Sequence, residues 1–358
     1  STGGEVTVSG TGGRFPRIPG LRKVFVGNSG TSFRLLLSTA ALAHGHYMFT
    51  GEPRMLERPV GGLVRALKAL GVDAWCTGKD GVPPVLVRAE GVRGGKVSLE
   101  GGTSSQYISS LLLAAPYMER GLELELVGGM VSKGYVDLTV EVMTLFGVDV
   151  LRDGYGYFKV RPHQTYGPRH FTIEGDVSSA SYLWAAAAVT GGSVTTENVY
   201  PFATRQGDID FLTILAQMGC RIDKQEDHVT VTGRGITGIE ADMGDMPDMV
   251  PTLAALSLFA HGKTFIRNVP QLRLKESDRL KTMARELSRL GGRVVELPDG
   301  LVIHGLHRLK GAVINPHNDH RIAMSLAVVG LRVPGITIEG ANCVRKSFPH
   351  FWEVWDSL

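Results

Sequence analysis

Cysteine is scarce in this sequence. Cys76, Cys220 and Cys343 are the only three among 358 residues. They form no CxxC pair and no spacing typical of a metal site, so neither a dithiol redox centre nor a bound metal is expected. So sparse and odd a count fits a reducing cytosol, and a cytoplasmic location is expected. Long apolar runs are also missing. Gly, Pro or charge interrupts every stretch well short of a membrane span. The opening STGGEVTVSG lacks the charged and apolar regions of a secretory leader. Charge of one sign is equally thin: 38 Lys and Arg against 35 Asp and Glu leave a net +3. There is no Lys/Arg run and no basic patch with interleaved aromatics, which argues against a nucleic-acid partner.

What is present is an ordinary globular balance, 43% hydrophobic and 20% charged, with length enough for two domains. The chain also repeats itself. LVRALKALGVDAW, VEVMTLFGVDVL, LTILAQMGCRID and ARELSRLGGRVVE each read as an amphipathic helix, a Gly and a β-like run. Their glycines, Gly71, Gly147, Gly219 and Gly291, are 76, 72 and 72 residues apart. Each is expected to end its helix in a left-handed turn. A second pattern alternates with the first: a polar loop, an Ala/Leu-rich helix, a turn at Gly45, Gly121, Gly191, Gly262 or Gly335, and a strand. Those helices are apolar nearly all round and should be buried. Strands between helices give an α/β or α+β architecture. A period of about 72 residues is too long for the usual solenoids, so a pseudo-symmetric globular fold is expected. EVTVSG reads as a strand, and the chain reads as starting in mid-unit, about one repeat short of six.

The buried helices all begin at loops rich in Gly, Ser, Thr, Asp or Asn. Helix N-termini gathered at one place would make an anion site. Basic residues lie beside those loops: Arg34, Arg54, Lys133, Lys275, Arg279, Arg321 and Lys346. Arg suits phosphate and carboxylate because its planar donors pair bidentately. Taken singly, GNSGTSFR could be a capped helix, KESDRL a helix start with a salt bridge, and NDHR a capped helix with a surface histidine. Recurrence at equivalent points of the repeat favours a shared function.

In order along the chain, GNSGTSFR, GEPRMLERP, SSQY, VSKGYVDLT, GDVSSASY, RLKESDRL, NDHRIAM and KSFP resemble the motifs of 5-enolpyruvylshikimate-3-phosphate (EPSP) synthases. The resemblance runs from about Lys23 to the C-terminus. It implies a two-domain inverse-teepee fold built from βαβαββ units, with residues 1–174 forming the shikimate 3-phosphate-side domain. Residues 175–358 would carry the catalytic Asp/Glu pair and much of the phosphoenolpyruvate site. It also implies an addition–elimination reaction that needs no metal or cofactor.

By the same resemblance Asp248 takes the proton of the substrate hydroxyl. Its bland alternative is an N-cap for the following helix. Glu276 matches the acid that protonates the methylene carbon, with Lys275 beside it. Gly30, Arg54, Lys275, Arg279, His320, Arg321 and Lys346 would hold phosphoenolpyruvate. Asn28, Thr31 and Arg34 would support the Gly30 loop. Ser104, Ser105, Gln106, Ser132, Tyr135, Asp248, Gln271 and Lys275 would meet shikimate 3-phosphate, with Lys133 adding charge. Asp176 is expected to be a cap or hinge. Glyphosate would bind where phosphoenolpyruvate does, and a larger residue at Gly30 would hinder it.

Two departures shape these expectations. The family's opening Gly-Ser-Lys-Ser loop finds no match here. A complementing N-terminal peptide is therefore expected as a partner, and the alternative is the larger piece of a split enzyme, inactive or scaffolding alone. The related UDP-N-acetylglucosamine enolpyruvyl transferases carry a Cys just before an Arg-Pro-Val. Here GEPRMLE precedes Arg58-Pro59-Val60 without one, which favours the shikimate enzyme.

Overall fold

Two kinds of helix alternate along the chain, as the two sequence patterns do. The computed structural model describes residues 10–358 apart from Arg14, Pro16, Thr103, Leu306 and His307, so the strand expected at EVTVSG lies almost wholly outside them. The helices are α1 (Gly30–Ala41), α2 (Gly61–Ala69), α3 (Ser105–Ala114), α4 (Lys133–Leu145), α5 (Val177–Thr190), α6 (Phe211–Met218), α7 (Val250–Ser257), α8 (Arg279–Arg289), α9 (His320–Gly330) and α10 (Phe351–Trp355). The odd-numbered ones are the apolar kind. Among the 14 residues of α5, 11 are buried, including Trp184, whose ring N–H donates to Thr196 Oγ1 at 2.9 Å. The even-numbered ones are one-sided. In α8, Leu280, Met283, Ala284 and Leu287 are buried at three- and four-residue steps.

All nine repeat glycines have positive φ. Gly219 (φ 113°) caps α6 and Gly191 (φ 76°) caps α5 in the left-handed region, the conformation expected from the sequence. The turn then feeds a strand. The order strand, α1, strand, α2, strand, strand is a complete βαβαββ unit. Its sheet runs Ile18–Phe25, His44–Thr50, Val85–Glu90, Asp73–Cys76, with the first pair parallel and the others antiparallel. The same order and pairing recur around α3 and α4 (Gly95–Glu100, Leu122–Val127, Tyr157–Val160, Val150–Asp153). They recur again around α7 and α8 (Glu240–Asp242, Lys263–Arg267, Gly300–His304, Arg293–Leu297). Around α5 and α6 three strands pair, and beside α9 two, Val313–Ile314 and Thr337–Ile338.

The chain divides into two compact units. The first comprises residues 1–131 and 136–170, and its core includes Phe33, Leu37, Leu63, Tyr107, Leu111 and Phe158. The second comprises Ser132–Tyr135 and Phe171–Leu358, with a core through Trp184, Phe211, Leu253, Met283 and Leu326. Tyr182 and Phe351 join Met324 in a smaller cluster there. Among the described residues no helix is long and apolar enough to cross a membrane.

Candidate active site

In the second unit the site is built around one arginine. Asp278 caps α8 by accepting from the Lys281 N–H at 3.1 Å, which makes Arg279 the first helical residue. Arg279 is only 2% exposed, and a guanidinium so buried requires anions around it. It has three. Nε donates to Asp319 Oδ2 at 2.8 Å, Nη1 to Asp248 Oδ1 at 2.7 Å, and Nη2 to Glu276 Oε2 at 2.8 Å and Asp319 Oδ1 at 3.3 Å.

Asp319 is the anchor of this set. Fully buried, it caps α9 by accepting from the Arg321 N–H at 3.1 Å, and it accepts from Ser277 Oγ at 3.0 Å. It thus ties the start of α9 to the KESDR loop. In the sequence NDHR reads as a helix cap followed by a histidine, with nothing to mark Asp319 as a partner of Arg279. A fully buried capping carboxylate has no local signature that separates it from an exposed one.

Asp248 collects two further cations. Arg321 Nη2 lies 2.9 Å from Oδ2, Lys275 Nζ 3.6 Å from Oδ1, and the Tyr135 hydroxyl donates to Oδ2 at 3.3 Å. Burial pushes this carboxyl up, but Arg321, Lys275 and Arg279 outweigh it and hold Asp248 well below the ordinary carboxylate range. The expectation that its side chain also caps the next helix is corrected. Met249 occupies the cap position of α7 and makes no side-chain cap bond, because the Asp248 carboxylate is turned to the arginines. Glu276 is buried and pairs through Oε1 with Lys346, which ends a 3₁₀ turn over Ala341–Lys346. The Glu–Arg helix pair expected as a bland reading of KESDR is therefore real, but it sits inside the cluster.

His320 corrects another expectation. It is 4% exposed, not a surface histidine, and its Nδ1 makes no hydrogen bond. Burial, reinforced by Arg321, lowers its pKa to about 3, so the ring is neutral. The Gln271 amide is enclosed with neither its oxygen nor its nitrogen hydrogen-bonded. Asp208, unnoticed in the sequence, is 4% exposed. Ser178 Oγ donates to its Oδ2, and Oδ1 has no partner. Burial, then the neighbouring Asp248 charge, raises its pKa to about 6. Ser132 is buried at φ 56°, and Lys133 Nζ lies 3.7 Å from Asp245. Asp176 is the expected cap, accepting from the Ser178 and Ser179 N–H groups at 3.2 Å each.

The first unit holds a second cluster. Ser29 caps α1 by accepting from the Ser32 N–H at 3.2 Å, so Gly30 opens the helix. Ser104 caps α3 in the same way, accepting from the Gln106 N–H at 3.3 Å, with Ser105 buried next to it. The two helix starts are tied by side chains. Arg34 Nη1 donates to Gln106 Oε1 at 2.5 Å, and Gln106 Nε2 donates to Thr31 Oγ1 at 2.8 Å. Arg34 Nη2 also reaches the Pro59 carbonyl at 3.2 Å. The Gln106 amide is thus held in one orientation. Asn28 is buried in the same loop. Arg54 starts a 3₁₀ turn and pairs with Glu57 at 2.8 Å.

A family profile described as EPSP synthase (3-phosphoshikimate 1-carboxyvinyltransferase) matches residues 1–355. The 3-phosphoshikimate 1-carboxyvinyltransferase of Methanoculleus marisnigri is 46% identical over 351 residues, 98% of this chain and 82% of that protein. That of Syntrophobacter fumaroxidans is 48% identical over 337 residues, 94% of this chain and 79% of that protein. The solved EPSP synthase of Acinetobacter baumannii superposes with a TM-score of 0.74 at 29% identity, covering 94% of this chain and 78% of that one. The matches run along nearly the whole chain, which spans about four fifths of those relatives' length.

Proposed function

The chain belongs to the EPSP synthase (3-phosphoshikimate 1-carboxyvinyltransferase) family, and from that premise we propose how its residues divide the chemistry. The enzyme, a transferase of the shikimate pathway, moves the enolpyruvyl group of phosphoenolpyruvate to the 5-hydroxyl of shikimate 3-phosphate and releases phosphate. The hydroxyl oxygen adds to C2 while C3 gains a proton. The tetrahedral intermediate then loses a C3 proton and phosphate.

Such a reaction needs a base, an acid and cations for the anionic groups. The observation that carries the assignment is the convergence of Lys275, Arg279, Arg321 and Lys346 on the carboxylates of Asp248 and Glu276. Asp248 is the base for the hydroxyl, and Glu276 is the acid toward C3. Both are paired with cations that would bind phosphoenolpyruvate. A phosphate or carboxylate arriving at Arg279, Arg321 and Lys346 competes for those donors. Asp248 then becomes more basic, and Glu276 takes a proton more readily. Substrate charge thus prepares the proton chemistry. His320, neutral and with a ring nitrogen to spare, serves as a hydrogen-bonding neighbour.

Gly30 and Arg54 complete the phosphoenolpyruvate contacts, with Asn28, Thr31 and Arg34 supporting the loop. Glyphosate, a small anion, would take the same place. Ser104, Ser105, Gln106, Ser132, Tyr135, Gln271 and Lys275 meet shikimate 3-phosphate. The unbonded Gln271 amide and the fixed Gln106 amide support that assignment. A cytoplasmic location accords with three unpaired cysteines.

The test is phosphate release by the purified chain. Release should require both phosphoenolpyruvate and shikimate 3-phosphate, and Glu276→Gln should abolish most of it. Release that ignores shikimate 3-phosphate, or survives Glu276→Gln unchanged, would overturn the assignment.

A further inference from the structure

The GEPRMLERP motif carries a second arginine, Arg58, which neither the resemblance nor the chemistry above employs. It follows the 3₁₀ turn Met55–Glu57 and is 3% exposed. Its Nη1 donates to the main-chain carbonyl of Asn28 at 3.2 Å. The tip of its side chain lies directly against Gly30. A Cβ placed on Gly30 would stand 2.6 Å from Nη2, 2.7 Å from Cζ and 2.9 Å from Nη1. Gly30 is the first residue of α1 and is not among the positive-φ glycines, so its backbone would accept any L-residue. On the protein side, the obstacle to a side chain at position 30 is the Arg58 guanidinium.

The turn that bears Arg58 is itself held. The carbonyl of the next residue, Pro59, accepts from Arg34 Nη2 at 3.2 Å and from the Tyr107 hydroxyl at 2.6 Å. Arg34 belongs to α1 and Tyr107 to α3, so Arg58 reaches the Asn28–Gly30 loop from a fixed base. Its charge also lies by the positive end of α1, where it adds to the field an anion would meet.

We propose that Arg58 is a positioning residue for phosphoenolpyruvate: it fixes the Asn28–Gly30 peptides that face the ligand, and it is the reason position 30 is glycine. The proposal rests on the assignment of Gly30 to phosphoenolpyruvate. It adds that a substituent at position 30 acts by displacing Arg58, even where it also crowds the ligand. Because the displaced atoms are the end of a flexible side chain, the fold should tolerate the change better than binding does.

The test is a double-mutant cycle with Gly30→Ala, Arg58→Lys and the pair, in which each substrate is varied in the phosphate-release assay and thermal unfolding is followed in parallel. Gly30→Ala should raise KM for phosphoenolpyruvate about tenfold to a hundredfold, the scale of a small misplacement. Its KM for shikimate 3-phosphate should move less than about twofold. Arg58→Lys should act in the same direction. The pair should be no worse than the weaker-binding single variant, because the narrower ammonium leaves room for the methyl group. If the two effects multiply, or if Arg58→Lys shifts both KM values and the melting temperature together, the positioning role is overturned. If Gly30→Ala leaves the phosphoenolpyruvate KM unchanged, the assignment of Gly30 itself falls, and the proposal with it.

Discussion

Arg279 shows what a single residue does when burial is nearly complete. Removing one member of a buried ion set leaves the others charged and unpaired. Arg279→Leu should therefore cost about 3–5 kcal/mol of unfolding free energy, read from denaturant melts. Glu276→Gln keeps the shape and one acceptor oxygen, while its amide nitrogen can no longer accept from Arg279 or Lys346. It should lower kcat by about a hundredfold to ten-thousandfold, the usual span for general acid–base groups, while the melting temperature changes far less than for Arg279→Leu. The reacting pair was legible in the sequence because KESDR and MPDMVP resemble the family's motifs. Their partners were not. The fact that Asp248 faces two arginines and a tyrosine instead of capping α7 depends on contacts between segments up to 113 residues apart in the chain. The same holds for Asp208 and Arg58, whose burial no local pattern announces.

Among elements, the helix-ending glycines are the part the sequence declared most clearly. Gly147 and Gly191 have open space where a Cβ would go, yet their φ values are 88° and 76°. Alanine there would be strained by backbone alone, so each substitution should destabilise by about 1–2 kcal/mol, and asparagine should cost less. Asp176→Ala removes the α5 cap and should cost about 1 kcal/mol. Urea midpoints check all three. The helices were readable because three- and four-residue apolar steps and a terminal glycine are local facts. The strands were less so. Val313–Ile314 and Thr337–Ile338 pair over only two residues each, too few for a period to register.

For the molecule as a whole, two buried titrating groups should bend the pH–stability curve in opposite directions. The His320 pKa falls from 6.5 unfolded to about 3 folded. Its contribution is full above pH 6.5 and is lost as pH falls toward 3. The Asp208 pKa rises from 3.8 to about 6. Its contribution is full below pH 3.8 and is lost as pH rises through 6. Asp208→Asn should raise the melting temperature more at pH 8 than at pH 4, and His320→Asn should flatten the loss on the acid side. An equal effect of Asp208→Asn at both pH values would show that the carboxyl is not raised. At this scale the sequence disclosed the repeat, because two sets of glycines keep the same interval. It could not disclose which repeats carry a full four-stranded sheet, since that depends on pairing between distant strands.

The sharing of Arg279 among Asp248, Glu276 and Asp319 has a consequence for how this enzyme can change. A residue that serves both the proton chemistry and the integrity of the second unit cannot be altered for one without loss of the other. Selection for a different response to small anions will find little freedom at the start of α8. Tolerated variants should gather instead around positions 28–34 and 54–59 of the first unit, where a displaced side-chain tip costs binding before it costs the fold.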